Sequence, residues 1–225
     1  GTTLTVYVNG VSGGSVSDST NWSAPSGNAT LGSNKNPGNY TSGYLSNFRV
    51  VKGTAVYTAA FTPPTTPLTA ITNTSLLTCQ SNRFIDNSST ASTATSYGNA
   101  SIQRFSPFNP TVPYSTATIG GSGYFDGSGD YLTAPNSTAF DFSTSSFTID
   151  GWFYTTVGST NISLLAYASN NGAAMSDYAF QVLSSTTNTL RFNGKKIRSP
   201  SRGLTIFSTL PTSSKKVRRA IVRVT

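Results

Sequence analysis

Phe147-Thr148-Ile149-Asp150-Gly151-Trp152-Phe153-Tyr154 is the strongest strand signal in the chain. Successive side chains of a β-strand point to opposite faces. The run therefore sets Phe147, Ile149, Gly151 and Phe153 against Thr148, Asp150, Trp152 and Tyr154. Residues 44–51 read the same way, with Leu45, Asn47, Arg49 and Val51 on one face and Tyr44, Ser46, Phe48 and Val50 on the other. Shorter β-rich runs fall at residues 4–8, 29–32, 76–80, 101–105, 163–168, 178–183 and 189–192. Asn9-Gly10 and Asn193-Gly194 are hairpin-turn signals. Residues 11–28 and 87–99 read as polar loops, and residues 54–61 as a helical turn or a short strand. Helix-period apolar patterns are nearly absent, so the expected fold is all-β: an antiparallel β-sandwich or jelly roll.

Composition narrows the chemistry. Charged residues make up 10% of the 225, against roughly 25% in an ordinary soluble domain. The surface is expected to be polar but nearly uncharged, a style common in extracellular and virion proteins. With 13 Phe, 11 Tyr and 2 Trp, the chain carries enough aromatic bulk for a sizeable core. It has no His and no Glu. His is the usual proton carrier at neutral pH and paired carboxylates the usual substitute. A Ser-His-Asp arrangement and a His-ligated zinc site cannot be built. Cys79 is the only cysteine, and its apolar neighbours Leu76 and Leu77 suit a buried small hydrophobe. No apolar run approaches the ~20 residues of a membrane span.

Charge is lopsided. The net charge is +8, yet residues 1–193 hold six Lys/Arg against seven Asp. The remaining nine cations, Lys195, Lys196, Arg198, Arg202, Lys215, Lys216, Arg218, Arg219 and Arg223, lie within residues 194–225. A basic run without interleaved aromatics is a weak nucleic-acid signal. A solvated arm or a broken reading frame is preferred for it.

The order of segments is unusual. Gly43-Tyr44-Leu45-Ser46-Asn47-Phe48-Arg49-Val50-Val51 and Thr62-Pro63-Pro64 read like a closing strand and its exit. Gly123-Tyr124-Phe125-Asp126-Gly127-Ser128-Gly129-Asp130-Tyr131-Leu132 reads like an opening strand and turn, yet comes later. The stretch from Phe125 to Leu132, followed by the strand of residues 147–154, resembles the first half of a concanavalin A-like, laminin-G-like module. Thr5-Val6-Tyr7-Val8-Asn9-Gly10, Leu31-Gly32 and residues 43–51 resemble its second half, and Ala220-Ile221-Val222-Arg223 the strand that precedes that half. The style is also similar to modules repeated in marine bacteriophage structural and tail-fibre proteins.

The resemblance implies a circularly permuted sandwich, one period of a repeating array. Residues 1–66 would be the C-terminal half, 67–75 a Pro/Thr-rich connector, 76–193 the N-terminal half and 194–225 a basic tail ending in a strand. It implies a non-catalytic module binding a cell-surface glycan or neighbouring repeats, on a virion or extracellular surface. The alternatives are a structural spacer and a glycoside hydrolase. The family's hydrolases use Glu residues, which this chain lacks, and its Asp residues show no i, i+2 pairing that would supply two carboxyls on one face.

Two groups of candidate site residues stand out. Trp22 and Tyr40 lie in polar loops with Asn34, Asn36 and Asn39, where rings could stack on sugar faces while amides bond hydroxyls. The other reading of each ring is closure of the sandwich core. Asp126 and Asp130 bracket a Gly-rich turn. They could offer carboxylates to Ca2+, which takes 6–8 oxygen ligands, or cap the turn by accepting backbone N–H groups. The spacing lacks the further acids of an EF-hand loop, and turn capping is preferred. No cofactor is required by this reading.

Overall fold

A computed structural model describes residues 3–19, 27–34, 39–108, 120–142, 145–155, 161–167, 178–183, 189–194, 204–209 and 218–224. The strands are β1 (Thr3–Val8), β2 (Val11–Ser17), β3 (Ala29–Leu31), β4 (Ser42–Lys52), β5 (Thr74–Thr78), β6 (Thr95–Tyr97), β7 (Ser101–Gln103) and β8 (Ser122–Asp126). They continue with β9 (Tyr131–Ala134), β10 (Phe147–Thr155), β11 (Ile162–Tyr167), β12 (Tyr178–Leu183), β13 (Thr189–Gly194), β14 (Leu204–Thr209) and β15 (Arg218–Val224). One 3-10 turn, Thr138–Phe140, interrupts them. Among the described residues no helix is long and apolar enough to cross a membrane.

The strands form two antiparallel sheets. One runs β2-β1-β15-β10-β4-β8-β7, with β5 also paired to β4; the other runs β14-β13-β12-β11-β3-β9-β6. Their inner faces meet in a core that includes Leu4, Val6, Phe125, Phe147, Ile149 and Phe180. The chain is thus all-β with a sandwich arrangement. Residues 1–66 and 76–225 both contribute strands to both sheets: β1 pairs β15, β4 pairs β8 and β10, and β3 pairs β9 and β11.

The hairpin signal at Asn9-Gly10 is realised with φ of 52° and 84° at the two positions, the left-handed pair that a two-residue hairpin turn requires. A Cβ on Gly10 would stand 1.8 Å from the Phe61 carbonyl oxygen. Only glycine admits that approach. The strand that returns from this turn is β2, where the sequence reads as loop. β2 is a largely exposed edge strand with the pattern VSGGSVS, so it carries no apolar alternation to announce itself.

The central strand β4 corrects the expected faces. Its register with β10 passes from Arg49 opposite Asp150 to Ser46 opposite Trp152. One extra residue is therefore accommodated on β4, a bulge, and Asn47 sits there with φ 51°. The bulge reverses the parity, and Leu45, Phe48 and Val50 all enter the core. Asn47 is buried, and its groups are spoken for. Its N–H donates to the Cys79 carbonyl at 3.1 Å, its Nδ2 to Ser46 Oγ at 2.8 Å, and its Oδ1 accepts the Leu68 N–H at 2.8 Å.

Residues 53–72 form neither helix nor strand. They lie on the outer face of the larger sheet, held by Thr148 Oγ1 to the Thr54 carbonyl, by Arg49 to the Thr69 carbonyl and by the edge-on contact of Phe61 with Tyr7 of β1. Beneath this strap Arg49 and Asp150 form a buried two-pronged ion pair, Nη2 to Oδ2 at 3.0 Å and Nε to Oδ1 at 3.3 Å.

The basic segment is not a solvated arm throughout. β14 pairs β13, and β15 lies in the middle of the larger sheet between β1 and β10. Asn193-Gly194, read as a turn, instead closes β13. Elsewhere on the outer face of the larger sheet, Tyr44, Phe105, Tyr124 and Tyr154 pack with ring planes 42–57° apart. That is the mutual packing of a small apolar cluster, not a flat platform.

Candidate functional site

The smaller sheet carries a row of aligned outward positions across its strands, interrupted at β3. Core positions on its strands are Phe192, Phe180, Val182, Ile162, Leu164, Leu31 and Leu132. Their sequence neighbours Arg191, Gln181, Ser163 and Tyr131 therefore face outward. Register aligns them. Arg191 lies opposite Gln181, Gln181 opposite Ser163, and Tyr131 opposite Tyr97. Between Ser163 and Tyr131 stands β3, whose Leu31 is opposite Leu132 and Leu165. Gly32, bonded through its N–H to the Leu164 carbonyl at 3.0 Å, breaks the row there: a Cβ on it would meet the core ring of Phe125 at 2.7 Å. At about 4.8 Å per strand, the five steps from Tyr97 to Arg191 span ~24 Å.

One end of the row is aromatic. Tyr97 and Tyr131 stack face to face, centroids 4.4 Å apart and planes within 5°. Tyr97 is 41% exposed, among the few large apolar side chains of the described residues that are open to solvent. Burial, with the neighbouring Tyr97 and Tyr40 phenols, pushes the Tyr131 hydroxyl above its ordinary pKa. Tyr40 thus lies close enough to Tyr131 for its phenol to act on that hydroxyl.

The loop that delivers Tyr40 is closed at its base. The Thr41 N–H donates to the Gly32 carbonyl at 2.7 Å, and Thr41 Oγ1 to the Ser163 carbonyl at 2.6 Å. Asn34 and Asn39 are half-buried on this loop. Asn34 Oδ1 and, at the start of β11, Asn161 Oδ1 are buried without a hydrogen-bond partner among the described residues. Trp22 and Asn36 lie outside the described residues.

The other end is polar. Gln181 is buried; its Nε2 donates to Ser163 Oγ at 3.0 Å and its Oε1 accepts from Arg191 Nη2. Arg191 is half-buried, and burial pushes its guanidinium below its ordinary pKa.

Asp126 and Asp130 lie beside the aromatic end, at the turn between β8 and β9. Asp130 is fully buried, and its two oxygens accept the backbone N–H groups of Asp126 (2.8 Å) and Asn99. It thereby ties the β8–β9 turn to the β6–β7 turn. Asp126 is exposed and accepts the Ser128 N–H at 2.7 Å. Both carboxylates thus hold backbone, as turn capping requires. Among the described residues no group of three or more His, Cys, Asp or Glu is placed to hold a metal ion. Replacing Asp130 by Asn sets an NH2 against one of its two backbone donors. The expected cost is about 1–3 kcal/mol, read as a lower urea midpoint at unchanged slope.

The sequence pointed to Tyr40 and Asn34 but not to Tyr97, Tyr131, Gln181 or Arg191. Tyr97 falls in a Ser/Thr-rich stretch read as loop, and the others occupy ordinary outward strand positions. No protein-family model, curated protein or solved structure matches the chain.

Proposed function

We propose that the chain is a non-catalytic glycan-binding module of the concanavalin A-like kind, displayed on a virion or other extracellular surface. The observation that carries this reading is the solvent-open Tyr97–Tyr131 stack at one end of the polar row on the smaller sheet. A sugar ring offers apolar C–H faces to an aromatic ring and hydroxyls to amides and hydroxyl groups. Tyr97, Tyr131 and Tyr40 supply the first need; the half-buried amides of Asn34 and Asn39 supply the second.

Catalysis by paired carboxylates is disfavoured by how the acids are used. Asp130 and Asp150 are fully buried and bonded within the fold, and Asp86 accepts four internal hydrogen bonds, from the Leu77, Ser88 and Ser92 N–H groups and from Ser88 Oγ. Hydrolysis would need two carboxyls facing each other across a cleft. A shallow face of this kind binds weakly alone. Repetition of the module would raise avidity through effective concentration.

The test is a glycan array probed with soluble, folded protein, with and without calcium. Binding to a defined set of glycans is expected, and it should survive chelation because Asp126 and Asp130 already serve backbone N–H groups. Failure of folded protein to bind any arrayed glycan would overturn the reading.

A further inference from the structure

We propose that the Arg191 end of the row receives an anionic group of the glycan, a carboxylate or a sulfate, and that the module therefore selects acidic over neutral glycans. This rests on the glycan-binding reading above and specifies its ligand class.

Arg49 and Arg191 make the contrast. Arg49 is matched within the fold: Asp150 takes two of its donors, the Thr69 carbonyl a third, and the Tyr57 hydroxyl lies at 3.4 Å. Arg191 has no such set. Its only described hydrogen-bond acceptor is the neutral amide of Gln181, and its Nε–H is buried without a partner. No described carboxylate pairs with it. Residues 1–193 are sparing with cations, six in all, so a guanidinium kept half-buried without a counter-charge stands out. Taking a cation out of water is costly unless a charge or a full set of acceptors compensates it.

The side chain is also held in place. Gln181 is buried and bonded at both ends of its amide, Nε2 to Ser163 Oγ and Oε1 to Arg191. That chain fixes the amide orientation, because only its oxygen can accept from a guanidinium. Gln181 is thus a positioning residue for Arg191. A planar guanidinium held from one side presents the forked N–H geometry that carboxylates and sulfates match.

The experiment is an array carrying neutral glycans beside their carboxylated and sulfated counterparts, probed with the full chain and with Arg191→Gln and Arg191→Lys. The strongest ligands are expected to be acidic, with neutral counterparts at least tenfold weaker. Arg191→Gln should lower acidic binding at least tenfold, and by far more than it lowers neutral binding. Arg191→Lys should retain part of it, because an ammonium keeps the charge but not the fork. Acidic binding should also weaken as salt is raised. The carboxylated and sulfated arms identify which anion is taken.

Neutral glycans bound as well as acidic ones, or acidic binding unchanged in Arg191→Gln, would overturn the inference and leave glycan binding standing. Should Arg191→Gln not fold, the decision passes to Arg191→Lys. Acidic binding that neither weakens in that variant nor falls with salt overturns the inference too. Folded wild-type protein that binds no glycan removes both this inference and the function it rests on.

Discussion

Asp150→Ala should destabilise the fold by about 3–5 kcal/mol, the loss seen when one partner of a buried ion pair is removed. The size follows from where the pair sits. Asp150 and Arg49 face each other in register on adjacent central strands, and both are buried beneath the strap of residues 53–72. Without the carboxylate, the Arg49 guanidinium loses two charge-assisted bonds and keeps only the Thr69 carbonyl and the Tyr57 hydroxyl. Removing both charges is a different matter. A buried pair repays little more than its own desolvation, so Arg49→Met with Asp150→Leu should lose much less than either single change. Urea unfolding of Asp150→Ala and of the double variant checks this. A double variant as unstable as Asp150→Ala would mean that packing under the strap, not the unpaired charge, sets the cost.

Alkaline pH should expose a second large effect, at Cys79. Burial pushes its thiol from 9.0 up to about 12. The neutral thiol is the form the fold accepts, so the sign is that of a raised pKa. The contribution is fully present below the unfolded-state value near 9 and is lost as pH rises toward 12, because the unfolded chain ionises first. At 1.36 kcal/mol per pH unit the full loss is about 4 kcal/mol. Tyrosines titrate in the same range, and comparison with Cys79→Ala cancels them. Between about pH 8 and about pH 11, wild type should lose ~3 kcal/mol more than the variant. Parallel loss in the two proteins would contradict the burial of this thiol. In the native state near neutral pH, Cys79 should also resist thiol reagents, since the thiolate is the nucleophile.

The fold class was legible because the strands that bury residues on one face alternate visibly. Residues 147–154 and 178–183 are the clearest cases, and β10 and β12 lie there. Three strands were not legible. β2 is a polar edge strand and β6 is exposed along its length, so neither has an apolar period to read. β14 is embedded in a basic stretch whose charge suggested a tail. The face assignment of β4 failed at a single residue. Asn47 in the left-handed region inserts a bulge, and one extra residue moves every later side chain to the opposite face.

The site was legible only in part. Tyr40 and Asn34 drew attention because an aromatic and amides in a polar loop are conspicuous before any fold is known. Tyr97, Tyr131, Ser163, Gln181 and Arg191 come from five strands across nearly a hundred residues. Each is an unremarked outward position on its own strand. Register alone lines them up, and register between distant strands is not written in local pattern.

The most direct measurement is the affinity of the best array glycan for wild type, Tyr97→Ala and Tyr131→Ala, with unfolding midpoints measured alongside. The stacked pair should carry a central share of the binding energy, as exposed tyrosines at binding surfaces commonly do. Each replacement should weaken binding about tenfold or more, a loss of ~1.4 kcal/mol, while the variants stay folded. Full affinity in folded Tyr97→Ala and Tyr131→Ala would contradict the assignment of this sheet face as the glycan-binding surface.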